Sequence, residues 1–241
     1  MKSYKARGIV LNTVKYGETS TVVFMLTDTA GRQNYLVQGA RGGKSKGNKS
    51  ALFQPLFPLE FVGLESSRSD LHRMKEVRSA FAMKGIPFDV RKSAISLFVA
   101  EVLYRVAREI EADSPLFDFV FDSVAELDAL EDGIANFHLW FLVQLSRYLG
   151  FFPGNEFTPG SWFDIEEGLF TPIRPRHPLY MNNENSQMLG QLMETTPGAL
   201  GGIKAGRAQR SDFMNSMLDY FGYHLDSIMQ VRQIQKLHVP F

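Results

Sequence analysis

The sequence predicts a multidomain α+β protein: a small N-terminal β-barrel, then an α-helical bundle that carries an irregular, proline-rich insertion. Three observations predict it. Short runs rich in Val, Thr, Phe and Leu, separated by Gly, Asp or Asn, fill residues 1–80. From about residue 88 the apolar period changes from two to about 3.6. Pro153, Pro159, Pro172, Pro175 and Pro178 then interrupt the helical pattern.

In order, GIVLNTV, STVVFMLTD, QNYLVQGA and PLFPLEFVGL read as strands, because β-branched and aromatic side chains suit a pleated, half-buried surface. Thr29-Ala30-Gly31 lies between two of these runs as a hairpin turn. Four or five short strands within about 80 residues are too few for a sandwich and suit a closed barrel of OB type. In RKSAISLFVAEVLYRVAREIE, Ile95, Phe98, Val99, Val102, Val106 and Ile110 form one stripe, with Arg91, Glu101, Arg105, Arg108 and Glu109 away from it, which makes a helix. Ser114-Pro115, a capping residue followed by proline, opens a second helix carrying Phe117, Val120, Phe121, Val124 and Leu127 inward. A third carries Phe137, Trp140, Phe141, Leu145 and Tyr148 and stops at Gly150 before Pro153. Helical spacing returns from Ser186 and again from Ser211, where Phe213, Met214, Met217, Leu218 and Phe221 read as core. The expected division is an OB barrel over 1–80 and a helical domain over 81–152. A proline-rich segment follows over 153–182, then C-terminal helices over 183–241 packing with the helical domain.

Composition narrows the function. No apolar run approaches the roughly 20 residues that span a bilayer, and MKSYKARGIV lacks the apolar core of a signal peptide, so the expected place is the cytoplasm. The chain has no cysteine, which excludes disulfides and thiolate metal sites and leaves any zinc to histidines and carboxylates. Charge is unevenly spread: residues 1–80 hold 13 Lys/Arg against 6 Asp/Glu, whereas 81–150 hold 6 against 11. A basic barrel joined to an acidic remainder suits a polyanion ligand on the barrel and a different role for the helices.

The segment VQGARGGKSKGNKSALFQP, residues 37–55, resembles two catalytic motifs and satisfies neither. Gly43-Lys44-Ser45 ends like a P-loop, but Gln38 stands where the first glycine is required, and no helix is expected to follow. Gly43-Lys44-Ser45-Lys46-Gly47 matches a nucleophile elbow in letters, without the parallel sheet and helix that motif needs. No HExxH, EF-hand or GxGxxG motif occurs, and Glu166-Glu167, being adjacent, point apart on an extended backbone. The expectation is a protein that is not an enzyme. Arg41, Lys44, Lys46 and Lys49, spaced by Gly, Ser and Asn, suit contacts to phosphates that carry little base-reading information; a solvated loop without ligand is the other reading.

The ordered series Gly8-Ile9-Val10-Leu11, Lys15-Tyr16-Gly17-Glu18-Thr19, Leu26-Thr27 with Gly31, Gln38-Gly39-Ala40-Arg41 leading to Lys44-Ser45, then Leu52, Gln54 and Pro55, resembles the N-terminal barrel of the RecO family of bacterial recombination mediators. Leu145-Ser146-Arg147-Tyr148-Leu149-Gly150-Phe151-Phe152-Pro153 is similar to the segment that leads into that family's zinc module. Here the chain departs from the pattern: many members carry four cysteines on a zinc ribbon, and Trp162 to Phe170 occupies that region instead. Zinc is therefore not carried over and no cofactor is expected; either aromatic packing replaces the metal or the module has shrunk.

The resemblance implies a nucleoid-associated protein that binds single- and double-stranded DNA and anneals complementary strands. With RecR and RecF it would help load RecA onto DNA coated by single-strand-binding protein (SSB). On the basic barrel, phosphate contacts are expected at Lys15, Arg32, Arg41, Lys44, Lys46 and Lys49. Tyr16 and Tyr35 are the stacking candidates, each equally able to be barrel core. Family members also bind the acidic SSB C-terminal tail through the helical domain, for which Arg105, Arg108 and Arg147 are the candidate cations, against ordinary pairing with Glu101, Glu109 or Glu111. The chain's own Pro240-Phe241 is similar to the end of such a tail, and whether the cysteine-free module keeps a metal through His177 is left open by the sequence. The alternatives are a generic single-strand DNA- or RNA-binding OB module with a helical oligomerisation domain, and a hydrolase.

Overall fold

The computed structural model describes residues 3–38, 49–66, 69–107 and 112–225. Two compact units are formed, Met1–Pro87 with Val99–Asp128, and Phe88–Phe98 with Ala129–Phe241. Helix α1, Val90–Val106, is divided between them.

The first unit is built on strands β1 (Ser3–Tyr16), β2 (Ser20–Thr27), β3 (Gly31–Val37), β4 (Pro58–Leu64) and β5 (Leu71–Ser79), closed in the order β1-β2-β3-β5-β4. Every pair is antiparallel except β3 with β5. This is the OB arrangement. Closure requires β1 to serve two neighbours, which its 14 residues allow. Its first half pairs with β4 and its second with β2, and a register shift between Val10 and Asn12 bends it from one to the other. Gly8 is needed at this crossing, because a Cβ there would stand 2.5 Å from Met25 Cε and 3.1 Å from the Phe61 ring. Inside lie Ala6, Val10, Val23, Met25, Tyr35, Val37, Phe53, Leu59 and Phe61, the alternate inward positions of the strands.

Helix α2, Ser114–Ala129, buries Phe117, Val120, Val124 and Leu127 in the same unit. Its cap is Asp113, whose Oδ1 accepts the Leu116 N–H at 3.0 Å, not Ser114 as the sequence suggests. Near the other end, the Asp128 carboxylate accepts the backbone N–H groups of Lys84, Gly85 and Ile86 at 2.7–2.8 Å and so anchors the strand-to-helix connection.

In the second unit α3 (Ile134–Tyr148) is buried on nearly all sides, as its continuous apolar run requires. It ends where the sequence predicts: Gly150 adopts φ 86°, Gly150 N–H donates to Arg147 O and Phe151 N–H to Ser146 O, a Schellman closure. The polar side chains of α3 hold what surrounds it. Asn136 Nδ2 donates to the carbonyls of Leu200 and Ile203, Trp140 Nε1 to Thr195 O, and Gln144 Nε2 to Leu192 O. These carbonyls end α4 (Asn183–Glu194) and the 3-10 turn Pro197–Gly202, which lead into α5 (Arg207–His224).

The proline-rich segment is more regular than a loop or single hairpin. Strands β6 (Trp162–Asp164) and β7 (Leu169–Thr171) form the hairpin, and β8 (Tyr180–Met181) adds a third strand in the order β7-β6-β8. Phe163, fully buried, meets Phe170 and Tyr220 at 5.2 Å, and the Tyr220 hydroxyl donates to Phe151 O at 2.5 Å. Aromatic packing holds the place where the zinc ribbon falls in the resemblance.

Candidate nucleic-acid interface

OB barrels take oligonucleotides on the outer face of strands 2 and 3, between the β1–β2 and β4–β5 loops. On this barrel the face presents Val22 and Phe24 from β2 and Arg32, Asn34 and Leu36 from β3, the positions that alternate with the buried Val23, Met25, Tyr35 and Val37. Helix α1 occupies one half of it. Tyr104 packs edge-on against Phe24 at 5.3 Å, and the Arg32 guanidinium lies 4.1 Å from the Tyr104 ring centre while Nη1 donates to Tyr104 O at 2.8 Å. Arg32, expected at a phosphate, is instead committed to fastening α1 on the barrel, because its β3 position faces the helix.

Among the described residues, Val22 and Leu36 on the other half are left part-exposed. The register pairs Val14 with Val22, Tyr16 with Ser20 and Thr21 with Val37, so the β1–β2 hairpin continues this face beyond the barrel. Residues 13–19 are exposed on both sides, a ribbon turned at Gly17 with φ 63°. Val14 (49% exposed) and Tyr16 (56%) lie on the side that continues the β2–β3 face; Lys15 is exposed on the opposite side. Tyr35 is the contrary case. It is fully buried, 5.0 Å from the Phe61 ring, with its hydroxyl 2.9 Å from that of Tyr4. Burial, then the Tyr4 hydrogen bond, pushes its phenol above the ordinary range. Its β3 parity points it inward, so it is core and offers no ring face to a base.

Of the basic loop, Arg41, Lys44 and Lys46 lie outside the described residues; Lys49 opens the 3-10 turn Lys49–Phe53, and its side chain is also outside them. That short turn runs on to β4, not into the α-helix a P-loop requires. Sequence reasoning missed β5. Its LHRMKEVRS run alternates cations with Met and Val, and exposes Arg73 and Lys75; Arg78 is exposed too but pairs with Glu60 at 2.5 Å. The period-two spacing of cations was the available signal, hidden because no apolar run marks the strand.

The three helical arginines separate. Arg105 Nε donates to Glu101 Oε1 at 2.6 Å, the i,i+4 pairing weighed against a tail contact. Arg108 lies outside the described residues, as do Pro240 and Phe241. Arg147 is exposed, its guanidinium 3.7 Å from the centre of the Phe152 ring. His177 sits between two carboxylates, Nε2 at 3.1 Å from Asp164 Oδ2 and Nδ1 at 3.6 Å from Glu166 Oε1. Carboxylates on opposite ring nitrogens cannot share one ion with either of them, and among the described residues no three His, Asp or Glu side chains could hold a metal. The residues present do not fit the zinc of the resemblance.

A closed OB barrel whose β1–β2 ribbon carries an exposed tyrosine beside the β2–β3 face has the architecture that takes oligonucleotides and oligosaccharides in other proteins. Comparison with known proteins carries this to a family. The chain matches the N-terminal model of recombination protein O over residues 1–82 and the C-terminal model over 87–232. It is 37% identical over 239 residues to the DNA repair protein RecO of Bacteroides fragilis and 35% over 238 to that of Phocaeicola vulgatus, with 98% of each chain covered. The RecO protein of Flavobacterium psychrophilum is 31% identical over 237 residues, again with 98% of each chain covered. The chain belongs to the RecO family of DNA repair and recombination proteins. Among its described residues, no helix is long and apolar enough to cross a membrane.

Proposed function

We propose that this protein is a non-enzymatic recombination mediator of the nucleoid. It binds single- and double-stranded DNA and anneals complementary strands, and with RecR and RecF it helps load RecA onto SSB-coated DNA. The observation that carries the reading is the projecting β1–β2 ribbon, whose exposed Tyr16 and Val14 extend the part-exposed half of the β2–β3 face, with Lys15 at their back. A strand laid there gains sequence-tolerant stacking on Tyr16 and salt-dependent phosphate contacts to Arg73 and Lys75, and one that turns around the ribbon meets Lys15 at its back. Annealing needs this kind of contact, since a protein that read base edges would block the edges that must pair.

Arg147 supports the partner assignment. An SSB tail ends in an apolar side chain and a free carboxylate, and an exposed guanidinium over the Phe152 ring offers a partner to each. The test is annealing of complementary oligonucleotides coated with the cognate SSB, with and without its tail. A mediator accelerates annealing on the intact coat, loses the acceleration when the tail is removed, and is weakened by Arg147→Ala. Acceleration indifferent to the tail would leave a generic single-strand binder.

A further inference from the structure

The barrel wall has a gap. Among the described residues, strands β3 and β5 pair only through Asn34, Tyr35 and Leu36 with Leu71, His72 and Arg73; beyond that point β5 pairs with β4 alone. A cavity of about 340 Å³ fills the space between them. Its walls include Leu36, Leu52, Phe53, Met74 and Val77, the last four being or adjoining the barrel core. At its rim stand Arg73, Lys75 and Glu76, all exposed.

Two features mark the cavity as more than loose packing. Glu76 adopts φ 53°, a left-handed conformation that costs a non-glycine residue about 1 kcal/mol or more. It does so at the bulge in the β4–β5 pairing, three residues past Arg73, the last β5 residue paired with β3. A bulge of this kind re-aims neighbouring side chains, here at the cavity mouth. Leu36 belongs both to the cavity and to the outer β2–β3 face, so that face leads into the cavity across two strand spacings, about 10 Å.

An apolar slot with Arg73 at its mouth, and beside it Lys75 in an exposed pair with Glu76 at 3.7 Å that a phosphate can displace, suits a flat aromatic group joined to an anion. We infer that the β3–β5 gap is a nucleotide site, in which one base of a single DNA strand enters between Leu36, Leu52 and Met74 and its phosphate meets Arg73 and Lys75. The site rests on the proposed DNA-binding role. It adds to that role a fixed point on the strand, one base held while its neighbours stay free to pair.

The test uses the full chain with Leu52→Trp as a reporter in the slot, titrated with a single-stranded oligothymidine carrying a fluorescent label for anisotropy. A second titration uses an abasic oligomer of equal charge. The expected result is quenching of the added indole by oligothymidine and not by the abasic strand, relative to the parent protein. Arg73→Glu with Lys75→Glu, made in the parent, should lower the slope of log K against log[salt] by about 2. Strand binding by anisotropy without quenching, or equal quenching by the abasic strand, overturns the site and leaves the DNA-binding role standing. Absence of strand binding overturns both. Should the reporter variant fail to fold, Leu52→Ser decides, and a preference for oligothymidine over the abasic strand equal to the parent's overturns the site.

Discussion

His138 gives the protein an acid sensitivity whose size can be worked out. The side chain lies on α3, 2% exposed, edge-on to Phe98 at 5.7 Å, with Nδ1 lacking a hydrogen-bond partner. Burial, and secondarily the positive charge of Arg210, hold its pKa at about 3. In the unfolded chain it returns to about 6.5. Between these values the unfolded state binds a proton that the folded state refuses. Stability is therefore undiminished above pH 6.5 and falls as pH drops toward 3, by up to about 1.4 kcal/mol per unit. From pH 7.5 to pH 5 the loss from this residue is about 2 kcal/mol. Trp140 and Trp162, the chain's two tryptophans, both lie in the second unit, so urea unfolding followed by their emission reports on it. With a slope of about 2 kcal/mol/M, the parent midpoint should fall by about 1 M more than that of His138→Leu over this pH interval. Equal losses in parent and variant would refute the reasoning, and would mean that the ring takes up a proton without leaving its packed position.

Three other outcomes are expected. Asp128→Ala leaves three backbone N–H groups without their carboxylate and should destabilise the first unit by about 2–4 kcal/mol in a denaturant titration. Glu76→Gly relieves a positive φ and should raise the thermal midpoint by the equivalent of about 1 kcal/mol. Tyr35→Phe removes only the hydroxyl contact to Tyr4; it should cost about 1 kcal/mol of stability and leave DNA affinity unchanged, whereas a loss of affinity would return Tyr35 to the binding surface.

Much of the architecture was legible because it follows local rules. Period-two apolar runs marked β1 to β4, period 3.6 marked the helices, and Gly150 with Pro153 marked the end of α3. Strand β5 escaped because its pattern is carried by charge, Arg73, Lys75 and Arg78, and its neighbours β3 and β4 are chosen by barrel closure, not by local sequence. At the site, composition pointed to the basic barrel, but strand parity sorted its residues. Tyr16 stayed outside on a ribbon that leaves the barrel, while Tyr35 faced inward. Arg32 shows the limit of such reading: its neighbour Tyr104 is 72 residues away in sequence, and no local pattern announces that contact.

The central claim is that the β2–β3 face and the ribbon that extends it, with Tyr16 on one side and Lys15 on the other, carry single-stranded DNA. Equilibrium binding of a short oligothymidine, followed across a salt series for the parent, Lys15→Glu and Tyr16→Ala, tests it most directly. Lys15→Glu should weaken binding and lower the salt slope by about 1, whereas Tyr16→Ala should cost about 1–3 kcal/mol with the slope unchanged. Parent-like affinity and slope in both variants would contradict the claim and place the strand elsewhere on the protein.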